Sequence, residues 1–310
     1  MPKIQGLSDI KFLTPRTILE VIKPPKSLFI IGGGSEAVEI AQLMATFGTK
    51  VYIAEKASRL MPKEDAEVGE LVERVLTEKR GATILTHSRV LSVEKQALSY
   101  NILIKRGGVD KTIKADEVLI AAGREPNVDL GLENASVNYT PKGIEVNEFL
   151  QTSTKHIFAA GDVLGNSNSN THTALLESRV AAHNMLERTK ITPNYKATPR
   201  VTSISPEIAQ VGLTEDDCKR RDIAIKKAVA PLSIIARSNT ADFRDGFVKL
   251  ISDKKGVILG GTVAAPHAAE IIHEIGLAVK HNLTAAQLAD TPHAFLSWSE
   301  AVRVAAQKLI

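Results

Sequence analysis

Apolar residues fall into continuous runs at some points of the chain and at helical spacing at others, and that alternation predicts the elements. Ser27–Ile31 (SLFII) is a short apolar run, the pattern of a strand buried on both faces of a parallel sheet. A glycine cluster follows. From Ser35 to Phe47 the positions Val38, Ala41, Met44 and Phe47 recur at helical spacing, and Gly48 supplies a C-cap. Lys50–Glu55 reads as a second strand, so the three elements form a βαβ unit with parallel strands and a right-handed crossover. A second helix is predicted from about Asp65 to Arg80, with Val68, Leu71, Val72, Val75 and Leu76 on one face and Gly81 as its stop. Short strands fill 82–113, where Asn101–Arg106 and Asp110–Ile113 flank Gly107-Gly108 as a hairpin. Glu117–Ala121 is a third apolar strand.

The flanking stretches differ in character. Residues 1–24 read as irregular, broken by Pro2, Pro15, Pro24 and Pro25. Between 126 and 195 the pattern predicts a strand at His156–Ala160, a Gly161-Asp162 turn, a polar loop over Asn166–His172 and a helix over Ala174–Leu186. Past Pro193, strands are expected at 200–212, 223–230, 246–252 and 256–263, then helices at 267–281, 284–289 and 298–309. Strands followed by helices predict an α+β unit.

Composition narrows the classes. Hydrophobic residues make up 44% and charged residues 24%, the balance of a soluble globular protein. No apolar run reaches the roughly 18 residues of a membrane span, and the N-terminus shows no secretory apolar region, so a cytoplasmic protein without a membrane partner is expected. The net charge is +4, yet Lys and Arg alternate with Asp and Glu, which argues against a nucleic-acid surface. One cysteine, Cys218, excludes an internal disulfide or redox pair; a packing role is the expectation for it. His267 and His273, six apart, do not make a metal face.

The chemistry begins at Gly32-Gly33-Gly34-Ser35-Glu36-Ala37. It fits G-x-G-x-x-A between a strand and a helix, with Gly32 for the tight turn, Gly34 for close approach of a pyrophosphate and Ala37 for helix–strand packing. Glu55, 23 residues after Gly32, is placed to accept from ribose hydroxyls and to repel a 2′-phosphate, which favours NAD over NADP. Lys56 and Arg59 nearby soften that preference, and the plainer alternative for Glu55 is a solvent-facing strand corner.

Taken together these segments resemble the pyridine nucleotide–disulfide oxidoreductases. SLFIIGGGSEAVEIAQLMATFGTKVYIAE is similar to that family's NAD fingerprint. VLIAAGREPN, with Gly123, is similar to its exit from the NAD domain, and HIFAAGDV to its second flavin-contact motif; PEIAQVGLTE and the stretch around GFVKL are similar to its interface domain. The resemblance implies an α/β fold: a remnant of an FAD domain at 1–24, a Rossmann-like NAD domain at 25–125, the C-terminal part of the FAD domain at 126–195, and an α+β dimerisation domain at 196–310. It implies NAD and FAD as cofactors, a homodimer, Gly161 and Asp162 beside the FAD ribityl chain, and Glu39 as partner of a flavin-side lysine. On residues alone, Gly161-Asp162 is equally an N-cap turn and Glu39 a solvated helix position.

Three departures restrict what the resemblance implies. The family's N-terminal third, with its FAD loop and C-x4-C pair, has no counterpart in this sequence, so a separate chain or segment supplying that half is expected. The family's C-terminal base is a histidine five residues before a glutamate; Glu300 is kept, but Phe295 holds the histidine's place and His293 lies two residues earlier as a displaced base or an interface residue. Ser35 stands where a bulky, often tyrosine, gate is usual, and Glu36 at a normally apolar site; both argue against efficient hydride transfer. Two readings therefore stand open: a flavin-dependent oxidoreductase completed elsewhere, and a non-catalytic NAD-binding dimer, either a fragment or a degenerate paralogue. Loss of the FAD half predicts exposed apolar surface around 126–190 and poor solubility.

Overall fold

The computed structural model describes residues 2–165 and 170–310. Four strands and two helices make the first sheet layer: β1 (Ser27–Ile31), α1 (Ser35–Thr46), β2 (Lys50–Ala54), α2 (Ala66–Arg74), β3 (Thr83–Leu85) and β7 (Glu117–Ile120). The crossover from β3 to β7 is the antiparallel meander β4 (Ser88–Gln96), β5 (Ser99–Arg106) and β6 (Val109–Ala115). The parallel sheet runs β3-β2-β1-β7, with Ile31 opposite Ala54 on one side and Ile120 on the other. Leu28 and Ile30 pack toward α1 and α2, Phe29 and Ile31 toward the meander, which is why SLFII had to be apolar on both faces.

Residues 1–24 are more ordered than their prolines suggest. Leu7–Asp9 and Thr17–Glu20 form single 3-10 turns, and Leu13 bridges Leu119, its N–H donating to the Val118 carbonyl at 2.7 Å. The helix expected to reach Arg80 is α-helical to Arg74 and continues as a π turn over Val75–Lys79. The predicted strand at His156–Ala160 is not formed: among the described residues its ladder contact is the lone bridge Phe158–Gln151. A strand exists only where a neighbour takes its N–H and C=O groups, and here the short hairpin β8 (Tyr139–Thr140) and β9 (Gly143–Ile144) lies elsewhere. The helix α3 spans Thr171–Leu186, capped by Asn170, whose side chain accepts from the Thr173 N–H at 2.8 Å. The predicted loop over Asn166–His172 falls largely outside the described residues, since 166–169 are not among them.

The last third is a five-stranded antiparallel sheet, β10 (Arg200–Thr202), β11 (Glu207–Gly212), β12 (Ile225–Pro231), β13 (Phe247–Asp253) and β14 (Ile258–Ala265), in the order β10-β11-β14-β13-β12. With it come α4 (Glu215–Arg220), α5 (Ala236–Thr240), α6 (Ala268–His281), α7 (Ala285–Asp290) and α8 (Glu300–Gln307). The predicted single strand 200–212 is a hairpin, because Pro206 has no N–H to donate and the turn's amides go elsewhere: Ser203 N–H donates to Glu39 at 2.6 Å and Ser205 N–H to Gln42 at 2.7 Å, both on α1. One face of the sheet (Ala209, Val211, Val248, Leu250, Val263) packs on α6 and α8. The other (Ile208, Phe247, Ala264) joins the core under α1 and α2.

Candidate functional site

Strand order places the site. From β1 the chain proceeds outward through β2 to β3, whereas β7 lies on the other flank, so the order reverses between β1 and β7. Open parallel sheets bind ligands in the crevice at the carboxyl ends of such a pair. Gly32 leaves β1 at that edge and Gly123 follows β7. Gly32 has φ +111°, and a Cβ there would sit 2.4 Å from the Ala121 carbonyl, so this turn admits only glycine. Ala37 is fully buried against the sheet. A Cβ on Gly34 would meet open space, and among the described residues no side chain caps α1 at Gly34. The first-turn N–H groups, with the positive end of the helix dipole, thus face an open crevice, the arrangement that holds a pyrophosphate.

Glu55 lies just past β2 and is buried rather than solvent-facing. Its Oε2 accepts from the Gly33 N–H and its Oε1 from the Ala57 N–H, both at 2.7 Å. The acid therefore stitches the glycine loop to the end of β2, and each oxygen keeps a second lone pair for ribose hydroxyls. Arg59 does not join it: that guanidinium binds the Glu64 carbonyl and Asp216, both at 3.1 Å.

Across the crevice stands the Gly161-Asp162 turn. Gly161 has φ +83°, and its N–H donates at 2.6 Å to Glu177 of α3, a fully buried carboxylate that also accepts from the Tyr195 hydroxyl at 2.9 Å. Burial and the Glu177 charge push the Tyr195 phenol far up, so it stays a donor. Asp162 is paired with Arg124, which follows Gly123, and Arg124 also reaches Glu36 in the first turn of α1 at 3.5 Å. Glu39 is half-buried and accepts from the Ser203 N–H at 2.6 Å.

The two C-terminal site residues, His293 and Glu300, have separate partners. His293 Nε2 contacts Glu274 at 2.7 Å and Nδ1 the Thr291 carbonyl at 2.8 Å, so both ring nitrogens are engaged. Burial pushes the Glu274 carboxyl up, and the histidine beside it draws it part of the way back. Glu300 Oε1 pairs with Arg303 at 3.2 Å, while its Oε2 is buried with no partner among the described residues. Phe295 is 78% exposed. Trp298 is buried in the core, edge-on to Phe243. Cys218 is buried on α4, its thiol pushed up by burial and neighbouring acids. Sequence reasoning missed Arg124, Glu177, Tyr195 and the buried Lys249. The signals were an arginine next to the strand-end glycine and charged residues at core-facing positions of α3 and β13.

A Rossmann-type crevice facing a glycine-aspartate turn, with an antiparallel α+β unit behind it, defines a dinucleotide-dependent oxidoreductase scaffold. The family model for pyridine nucleotide-disulphide oxidoreductases matches residues 1–184, and that for the family's dimerisation domain matches 198–306; the chain belongs to this family. Its members are flavin-dependent pyridine nucleotide oxidoreductases that use FAD and NAD(P). The chain is 33% identical over 309 residues to a mercuric reductase of Staphylococcus aureus, covering 99% of this chain and 56% of the relative. It is 35% identical over 286 residues to a dihydrolipoyl dehydrogenase of Geobacillus stearothermophilus, covering 91% and 60%. Among solved structures, the Cu(II) complex of the HOCl-induced flavoprotein disulfide reductase RclA from Escherichia coli superposes with a TM-score of 0.90 at 25% identity, covering 100% of this chain and 70% of that one. LpdA from Mycobacterium tuberculosis gives 0.85 at 26%, covering 96% and 64%. The chain spans about half the length of the first curated relatives it matches, 48% to 56%.

Proposed function

We propose that this chain is the NAD-binding and dimerisation part of a flavin-dependent pyridine nucleotide oxidoreductase, with its domains divided at about 24, 125 and 195. The observation that carries this is the uncapped α1 N-terminus at the β1/β7 switch point, opposite the Gly161-Asp162 turn. The residues present fit NAD: Gly34 leaves room for phosphates, Glu55 has lone pairs for the ribose, and Gly123 opens the far lip. They fit FAD in part, through Asp162 and its glycine turn. When bound, the two cofactors supply the hydride chemistry; the chain's part is to orient and to set charge. Glu55 fixes the glycine loop, α1 neutralises phosphate charge, and Glu177 with Tyr195 sets the turn that presents Asp162.

The FAD half is supplied, in this reading, by a further segment or a companion chain. Leu130, Leu175, Met185, Leu186 and Ile191 are exposed on 126–195, a surface that such a half would cover. In the dimerisation unit Ile234, Leu277, Phe295 and Ile310 are exposed as well, which supports a homodimer through this unit. The lone buried Cys218 accords with a reducing, cytoplasmic setting. Among the described residues no helix is long and apolar enough to cross a membrane.

The occupied nitrogens of His293 and the exposed Phe295 favour a second reading, in which the chain binds NAD as a dimer without thiol chemistry. A visible spectrum of the purified chain with added FAD, followed by an NADH titration, separates the two. A flavin band with NADH-dependent bleaching supports the oxidoreductase; NADH binding without flavin supports the dimer; binding of neither refutes both.

A further inference from the structure

Three charges span the mouth of the crevice in the order Glu36, Arg124, Asp162. One guanidinium nitrogen, Nη1, faces Glu36 on the NAD side, and the other, Nη2, binds Asp162 on the opposite turn. The three side chains are a third to a little over half exposed, so each pairing is easily exchanged. Two carboxylates share one cation, which leaves a net negative charge beside the α1 N-terminus. That is where a dinucleotide's phosphates are placed by the reading above, on which this inference rests. Glu36 itself lies in the first turn of α1, so its charge acts directly on that anion site whenever Arg124 is drawn toward Asp162.

We infer that Glu36 and Arg124 are positioning residues that couple the two sides of the crevice. Arg124 is divided between the acids. Any ligand hydroxyl that engages Asp162 competes with Arg124 for the same carboxylate and hands the guanidinium over to Glu36. Glu36 is then neutralised, and the α1 N-terminus becomes a better site for phosphates. Occupation of the flavin side thereby strengthens dinucleotide binding, and by reciprocity a dinucleotide strengthens binding on the flavin side. Glu36 is what makes the coupling work, since it is the acid on α1 that Arg124 reaches.

The test is a double-mutant cycle read by NADH fluorescence titration of the whole chain at about 0.15 M salt, where charges farther than a Debye length are screened. Asp162→Asn releases Arg124 without any flavin present. It is expected to tighten NADH binding about two- to fivefold, the range for one charge near a helix N-terminus. Glu36→Gln alone is expected to tighten binding by a similar factor, and adding Asp162→Asn to Glu36→Gln to bring no further gain. A far-ultraviolet circular dichroism melt checks that each variant is folded, and Glu36→Ile stands in if Glu36→Gln is not. Equal effects of Asp162→Asn in both backgrounds, or none in either, overturn the coupling while leaving NAD binding intact. Failure of the unmodified chain and every folded variant to bind NADH overturns the NAD reading and the coupling with it.

Discussion

Lys249 offers the sharpest test of how the two main units are joined. It lies on β13 with no exposed side-chain surface, and its ammonium pairs with Asp65 at 3.1 Å, Glu67 at 2.8 Å and Glu215. Asp65 and Glu67 belong to the start of α2, Glu215 to the start of α4. Burial works to lower the lysine's pKa, but the hydrogen bonds the ammonium donates to Glu215 and Glu67 outweigh it and raise the pKa. Lys249→Met keeps the volume and removes the cation, leaving three carboxylates at one interface. Breaking a buried pair from one side costs about 3–5 kcal/mol. The lower end is expected here, because Glu67 and Glu215 are about 30% exposed and Lys227 still pairs with Glu215 at 2.7 Å. At about 2.1 cal/mol/K per residue, the unfolding entropy over 310 residues is about 0.65 kcal/mol/K, so Tm should fall by roughly 5 °C. Differential scanning calorimetry reads the shift. Asp65→Asn in the Lys249→Met background should restore part of the loss, and Lys227→Met, an exposed pair, should cost at most about 1 kcal/mol. A loss under about 1 kcal/mol for Lys249→Met, or strict additivity with Asp65→Asn, refutes a buried lock at this interface.

Glu55→Ala removes the acceptor for the Gly33 and Ala57 amides. It should weaken NADH binding roughly five- to a hundredfold, on about 1–3 kcal/mol for the groups left unpaired, by isothermal calorimetry; unchanged affinity would place the dinucleotide elsewhere. Glu215, Asp217 and Asp245 have carboxyls held below their ordinary values of 4.5, 3.8 and 3.8, burial opposing in all three and the lysine, arginine and threonine partners prevailing. Their folded pKa lies below the unfolded one, so the stability they contribute is full above about pH 5 and is lost as pH falls through the folded values. Asp65, raised by burial, offsets part of this because the folded state takes its proton first. Thermal melts should thus be level near neutrality and fall below about pH 4.5, less steeply in Glu215→Gln; identical acid slopes in the two proteins would contradict the assignment. Cys218 should resist a thiol reagent in the native chain and react fully in urea, since its thiol is buried and pushed up; prompt native labelling would contradict that burial. Leu277→Arg, on the outer face of α6, should convert a dimer to a monomer in sedimentation, whereas an unchanged mass would move the interface to another face.

The elements that could be read from sequence are those whose cause is local. SLFII and the period of Val38, Ala41 and Met44 both report burial directly, and the G-x-G-x-x-A loop is fixed by sterics at Gly32, where a Cβ would sit 2.4 Å from a carbonyl. His156–Ala160 has the same apolar signature as β1, yet forms no strand, because pairing depends on neighbours that a local pattern does not contain. The break in 200–212 was visible as Pro206, but the reason the turn is stable was not: its amides are satisfied by Glu39 and Gln42, more than 160 residues away. Charged residues misled in a similar manner. Glu177 and Lys249 look like surface residues in composition and are the most buried ionisable groups in their units, legible only as a carboxylate or lysine at a core-facing step of the pattern.

The same long-range contacts bear on whether the isolated chain can be assayed at all. Glu39 and Gln42 tie α1 to the β10–β11 turn, Glu64 holds Arg200 through two bonds of 3.0 Å, and Asp65 and Glu67 reach Lys249. Every one of these runs from the NAD unit to the dimerisation unit, and none passes through 126–195. The glycine loop, α1 and Glu55 are held by these contacts and by the Gly33 and Ala57 amides, none of which involves 126–195. Dinucleotide affinity measured on this chain reports the built crevice, and a change in that affinity when flavin is added must travel across the mouth of the crevice. Among the described residues, a charged connection there is the guanidinium of Arg124, between Glu36 and Asp162.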